Sequence, residues 1–194
     1  MSEGAAAVLE NFACVLGTRI DQARVPAVIN LLERARLDLA RATRGPKIHY
    51  RRLRPFVGNE APICVQRTQA LADSFSYPSG HATQGWAYAL ILAALVPEKA
   101  TAILARGRAY GESRIVCGVH WLSDVVAGRL TGSTVFAALM GDPAFRADLE
   151  KARAEPPHRP GRGRNGPRSG DLHPGDRGPA GAATGLLDLN RYRF

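Results

Sequence analysis

Between Val25 and Thr43 the apolar residues Val28, Leu31, Leu32, Ala35, Leu39 and Ala42 return at steps of three and four, the spacing of one helix face. No stretch of the chain alternates polar and apolar residues as a half-buried strand does, so the pattern predicts an all-α fold, a compact helical bundle. Gly45-Pro46 reads as the stop of this first helix, and residues 47–78, basic at first and then holding Gly58, Pro62 and Pro78 with little periodicity, read as loop. Ala, Leu, Ile and aromatic residues from Ala82 to Leu95, closed by Pro97, predict a buried helix, and Glu98 to Tyr110 a second. His120 to Met140 predicts a third, with Gly128 and Gly132 inside it. Asp142-Pro143 has the order of an N-cap followed by proline in the first turn, opening a short helix over 143–154.

With 194 residues, 45% of them hydrophobic, the chain is long enough to bury one core, and three cysteines at 14, 64 and 117 exclude a disulfide framework. The body is expected over 1–155. After Glu155, prolines at 156, 157, 160, 167, 174 and 179 alternate with Gly and Arg, a composition expected to stay disordered over 156–194. The formal net charge is +9, and seven arginines against three aspartates place +4 of it in that tail. An Arg-Gly tail offers phosphate and cation-π contacts to nucleic acid, but a solvated extension is the commoner use of such a segment, so nucleic acid is not the expected partner. The longest apolar stretch, Trp86 to Val96, has 11 residues where a spanning helix needs about 20, so membrane insertion is not expected. The first residues lack a basic region and an uninterrupted apolar run and read as no secretory signal, so the expectation from these residues is either a cytoplasmic protein or a true start that is missing.

Two segments concentrate groups seldom used for structure alone: Tyr77-Pro78-Ser79-Gly80-His81, and Ser113 to Asp124. The first has the form of an anion site. Gly80 lets backbone approach a ligand, Ser79 offers a hydroxyl, and the following helix presents free N–H groups. If 120–140 is helical, His120 and Asp124 share a face, so the carboxylate can accept the imidazole Nδ1–H and leave Nε2 as a nucleophile. Arg114, Lys47 and Arg54 add three cations, whose mutual repulsion is relieved by an anion among them. Each residue alone has an ordinary explanation: a surface or core histidine, an ion-paired arginine, a Ser-Gly turn.

Taken together, Lys47-x6-Arg54-Pro55, Pro78-Ser79-Gly80-His81 and Ser113-Arg114-x5-His120-x3-Asp124 resemble the three-part signature of the phosphatidic acid phosphatase type 2 superfamily, shared with vanadium haloperoxidases. Residue type, order and spacing agree at once, which is far more specific than one short motif. Within it the chain is most similar to bacterial class A non-specific acid phosphatases over roughly 25–154, through Ser76-Tyr-Pro-Ser-Gly-His81, Ser113-Arg-Ile-Val-Cys-Gly-Val-His-Trp121 and Asp142-Pro-Ala-Phe145.

The resemblance implies an all-helical acid phosphatase fold, a periplasmic location, a homodimer or larger assembly, and hydrolysis of small phosphate monoesters without a metal or other cofactor. It makes His120 the nucleophile, Asp124 its orienter and His81 the acid for the leaving oxygen, with Lys47, Arg54, Ser79, Gly80 and Arg114 holding the phosphoryl oxygens. It also implies that the front of the domain is shortened here. Phe75 replaces the family's usual Gly and Ala82 its usual Thr. A vanadate-dependent haloperoxidase, holding the oxyanion in the same pocket, is the alternative within the superfamily, and a non-catalytic basic protein binding nucleic acid through its tail the alternative outside it. Cys64 and Cys117 either pair in an oxidising compartment or stay as reduced, partly buried thiols.

Overall fold

The structure, a computed structural model, describes residues 4–17 and 22–155, and the expectation for 156–194 lies outside the described residues. Two short helices, α1 (Ala5–Glu10) and α2 (Ala13–Leu16), lead into the long helix α3 (Pro26–Tyr50). After a loop holding the single-turn helix α4 (Gln69–Asp73) come α5 (Gly80–Leu95), α6 (Ala100–Val116), α7 (Leu122–Gly141) and α8 (Pro143–Ala154). No strand occurs among the described residues, and the fold is all-α.

The helix α5 is apolar all round because it is the central one, packed against α3, α6 and α7. Ala87, Tyr88, Ala89, Ile91 and Leu92 on it are all buried. Tyr88 meets its polar obligation inside the core by donating its hydroxyl to the Leu32 carbonyl at 3.0 Å. The predicted stripe of α3 supplies Val28, Leu31, Leu32, Ala35 and Leu39, and α8 closes the base with Phe145, Leu149 and Ala152. The Asp142 carboxylate caps α8, accepting the Ala144 N–H at 2.8 Å as its sequence order implied. Val8 and Leu9 of α1, Phe12 in the turn after it and Leu16 of α2 complete the core; helices this short carry no readable period and were not expected.

Several expected boundaries are corrected. Gly45-Pro46 does not stop α3, which carries Pro46 in its interior and runs to Tyr50, so residues 47–50 are helix rather than loop. An internal proline costs about 3 kcal/mol through a lost hydrogen bond and a clash. Against that, buried Leu39 and Thr43 continue the α3 stripe, and Lys47, one further step of four along, donates its Nζ to the Phe75 carbonyl at 2.5 Å. The helix then ends at Arg51, whose left-handed φ of 45° turns the chain while its N–H bonds the Lys47 carbonyl. A 3-10 turn at Pro97–Lys99 moves the start of α6 to Ala100, and α6 continues past Tyr110 to Val116. The helix expected from His120 begins only at Leu122.

The two glycines of α7 fix its distance from α5. A Cβ on Gly128 would stand 2.7 Å from the Ser79 carbonyl, and one on Gly132 2.7 Å from that of Thr83, so the first turns of α5 lie directly on α7. A smaller cluster of Phe56, Cys117 and Val119, with Ile63 and Leu71 packed on it, holds the 51–79 connection to the segment between α6 and α7. Within it Cys64 and Cys117 form a disulfide, resolving that alternative, and the Cys64 N–H bonds the Cys117 carbonyl at 3.3 Å. Cys14 is free and exposed.

Candidate active site

Three stretches of chain meet where α3, α5 and α7 come together: the exit from α3, the start of α5, and the turn from α6 to α7. The buried polar residues of the fold include Arg54, Ser76, Ser79, His120 and Asp124, all from these stretches. A buried polar cluster is the informative exception to apolar burial, since each member must find a partner or serve a ligand.

The turn at 117–121 is built by carbonyl sharing. The Arg114 carbonyl accepts the N–H groups of both Val119 and His120 at 3.2 Å, and Gly118 takes a left-handed φ of 75° with Ile63 close against it. His120 therefore stands before α7 rather than on it, and helical i,i+4 spacing is not what brings it to Asp124. Instead Trp121, extended at φ −76° and ψ 156°, is the N-cap residue, and Asp124 in the first turn reaches back. One carboxylate oxygen, Oδ2, accepts the Trp121 N–H at 2.9 Å and faces His120 Nδ1 at 3.2 Å. The expected pair forms through helix capping.

On the other side of the ring, His120 Nε2 lies 3.1 Å from Arg54 Nη1. An arginine can only donate, so this contact requires a lone pair on Nε2 and places the imidazole proton on Nδ1 toward Asp124. Burial lowers the proton affinity of His120 below that of a free imidazole, the Asp124 hydrogen bond opposes this, and Arg54 and Lys47 add to the lowering. Burial also pushes the Asp124 carboxyl up, but the hydrogen bonds from His120 and the Trp121 N–H, with the charge of Arg52, hold it below its ordinary value. The result is a neutral imidazole beside a carboxylate.

Arg54 is itself held from several sides. Its Nε donates to the Ser74 carbonyl at 2.9 Å, Nη1 to the Val119 carbonyl at 2.9 Å and Nη2 to the Ser74 hydroxyl at 2.9 Å, so the guanidinium is held at a fixed angle. Lys47 is brought down to about 8, by burial first and then by Arg54, with Asp124 opposing. His81, on the first turn of α5, falls to about 3 through burial, followed by the charge of Arg114, His120 and Arg54. Three cations and two neutral histidines thus act on one another in a small volume.

Ser79 caps α5: its hydroxyl accepts the Ala82 N–H at 3.3 Å, and its own N–H donates to the Asp124 carbonyl at 2.9 Å, locking the start of α5 to the start of α7. A Cβ on Gly80 would meet nothing within 4 Å. The N–H groups of Gly80 and His81 have no acceptor among the described residues, as expected at a helix start. Arg114 lies on the last turn of α6, where a cation suits the negative end of the helix, and its Nε donates to the Ser113 hydroxyl at 3.2 Å. The structure thus brings Lys47, Arg54, Ser79, Gly80, His81, Arg114, His120 and Asp124 to the junction of these three stretches.

The superfamily model for PAP2 proteins matches residues 36–147, which contain all of these groups. The chain belongs to the PAP2 superfamily. Among curated PAP2 relatives, an acid phosphatase of Zymomonas mobilis is 48% identical over 155 residues, covering 77% of this chain and 57% of the relative. A non-specific acid phosphatase of Providencia stuartii is 39% identical over 153 residues, covering 78% of this chain and 62% of the relative. One of Salmonella typhimurium is 39% identical over 146 residues, covering 74% and 58%. The chain therefore spans less than two thirds of the length of the curated relatives it matches.

One contact of this PAP2 site was not anticipated. Arg52 Nη1 donates to Asp124 Oδ1 at 3.0 Å and to the Ser123 hydroxyl at 2.5 Å. The available signal was its position two residues before Arg54, with exposed Leu53 between them, the period of an extended segment that turns alternate side chains to one side.

Proposed function

We propose that this chain is a metal-independent acid phosphatase acting on small phosphate monoesters through a phosphohistidine intermediate. The observation that carries the reading is the setting of His120, whose Nδ1 faces Asp124 while its Nε2 lone pair faces a guanidinium that is itself fixed. Phosphoryl transfer asks mainly for in-line positioning and for fixed positive charge around the transferred oxygens. Arg54, Lys47 and Arg114 offer that charge, and the outward amides of Gly80 and His81 add donors at a helix start. The curated relatives named acid phosphatase or non-specific acid phosphatase support the same reading.

In the first step, His120 Nε2 attacks phosphorus as the bond from phosphorus to the leaving oxygen breaks, and His81 gives its proton to that oxygen. In the second, water attacks the phosphohistidine, neutral His81 takes a proton from the water, and the phosphorus–nitrogen bond breaks to restore His120. Asp124 holds the Nδ1 proton throughout and stabilises the charge that grows on the ring. Burial and the surrounding cations bring His81 down to about 3. A phosphoryl anion offsets the cations responsible for part of that depression, so binding and protonation of His81 favour one another. Acid conditions then favour the loaded, protonated complex.

The location we propose is periplasmic, in keeping with the Cys64–Cys117 disulfide, since such bonds persist in oxidising compartments. Hydrolysis of p-nitrophenyl phosphate from acid to alkaline pH in the presence of EDTA tests the activity. Chelator-resistant turnover that His120→Ala abolishes is the expected result, with a bell-shaped profile. No turnover by a folded wild type, or a rate that climbs steadily into alkali, would overturn the assigned roles.

A further inference from the structure

Asp124 is completely buried, and a buried carboxylate is tolerable only when both oxygens are satisfied. The proposed mechanism uses one of them: Oδ2 takes His120 and the Trp121 N–H. The other oxygen is held by Arg52 at 3.0 Å. Arg52 is positioned from several directions at once. Its guanidinium carbon lies 5.3 Å from the centre of the Trp121 ring, its Nη1 also reaches the Ser123 hydroxyl, and its backbone carbonyl accepts the Ser76 N–H at 2.8 Å. The Trp121 Nε1 in turn donates to the carbonyl of Leu53 at 3.0 Å. One residue thereby ties the exit of α3 both to the strip leading into α5 and to the start of α7.

We propose that Arg52 is a positioning residue for phosphoryl transfer, holding Asp124 rotated so that its other oxygen fixes the His120 ring. This rests on the phosphatase reading only for its kinetic consequence. Carboxylate rotation sets where Oδ2 stands, and Oδ2 sets the tautomer and tilt of the imidazole. Arg54 cannot substitute for Arg52, because its guanidinium is committed to Ser74, Val119 and Nε2 on the far side of the ring. The groups that act on His120 are then Asp124, Arg54, Lys47 and His81, with Arg52 acting through Asp124.

The test uses Arg52→Met and Arg52→Lys in the full chain, with two readouts. Nitrogen-15 NMR follows the His120 imidazole through a pH titration, assigned by the signal lost in His120→Asn, and p-nitrophenyl phosphate hydrolysis gives kcat and KM. Without the arginine, Asp124 loses the cation bonded to its Oδ1, so more of its charge acts on the imidazole and His120 in Arg52→Met binds its proton at higher pH than in wild type. Over the same comparison kcat falls about 10- to 100-fold, the scale of one charge-assisted hydrogen bond, while KM changes little because the phosphoryl-binding groups are intact. Arg52→Lys keeps the charge without the fork and recovers part of both effects. Should Arg52→Met fail to fold, Arg52→Gln, which also removes the charge, takes its place: a His120 titration and kcat identical to wild type overturn the proposal. A fall in kcat with an unmoved His120 titration also overturns it, since that pattern marks a scaffold contact. If folded wild type hydrolyses nothing, the phosphatase reading fails, and the titration alone still decides whether Arg52 governs His120.

Discussion

Breaking the Cys64–Cys117 disulfide should destabilise the fold by about 4 kcal/mol. The two cysteines are 53 residues apart in sequence, and the bond closes a loop that contains α4, α5 and the whole of α6. Chain entropy for a loop of that length amounts to about 14 cal/mol/K, or about 4 kcal/mol at 25 °C, lost from the unfolded ensemble when the crosslink is present. The native state has little reason to change, because Phe56, Val119 and Ile63 pack around the sulfurs and survive their replacement. Urea unfolding of a Cys64→Ala/Cys117→Ala variant, made in a Cys14→Ala background to remove the free thiol, measures the effect. With a slope of about 2 kcal/mol per molar urea the midpoint should drop by about 2 M, and dithiothreitol should bring the single Cys14→Ala protein to the same value. A drop below about 0.5 M in both comparisons would refute the reasoning, showing that the thiols are not bonded or that the unfolded chain is already confined.

Gly128→Ala should destabilise by about 1–3 kcal/mol and raise KM for p-nitrophenyl phosphate, because its methyl group would collide with the Ser79 carbonyl and with Ala82, at 2.7 and 2.9 Å, and push the start of α5 off α7. Unchanged thermal stability and KM would show that the helices can separate without cost. The two buried histidines also make a signed prediction for stability against pH. Unfolded histidine takes up its proton near 6.5, whereas folded His81 does so only near 3 and folded His120 below its free value, so the unfolded state binds more protons as pH falls from 6.5. Stability is greatest above 6.5 and declines below it, at up to about 1.4 kcal/mol per pH unit for each proton. Urea midpoints between pH 6.5 and 5.5, above most of the range where carboxylates titrate, should therefore fall, and less steeply in His81→Asn. Equal slopes for the variant and wild type would rule out a buried neutral His81.

The helices and the chemistry were legible for different reasons. Long elements announced themselves through period, as with Val28 to Leu39 on α3, or through uniform apolarity, as with α5. The site was legible because its residue types are chemically costly to bury and recur at fixed distances along three separate segments. What escaped depended on contacts that spacing does not carry. Pro46 looked like a terminator because local steric rules are strong, yet Lys47 tethered to Phe75 carries the helix onward. His120 and Asp124 were expected on one helical face, and instead meet across an N-cap whose outline depends on the extended backbone at Trp121. Arg52 was one cation in a basic run, and only the fold distinguishes it from exposed Arg51.

Burial links the arrangement of this site to its ligand. Lys47 is depressed to about 8 and His81 to about 3, in each case by desolvation first and by neighbouring positive charge second. Apolar surroundings could not select such a combination for stability, because like charges at short range raise the energy of the folded state more as the local dielectric falls. A phosphoryl group reverses the sign of that interaction for every cation around it. The strain is therefore specific in what relieves it: a compact anion reaching Arg54, Lys47 and Arg114 together. Asp124 cannot fill that role from within the protein, since one of its oxygens is committed to His120 and Trp121 and the other to Arg52. Under the proposed mechanism the buried carboxylate orients His120, and the cations are left to the phosphoryl group.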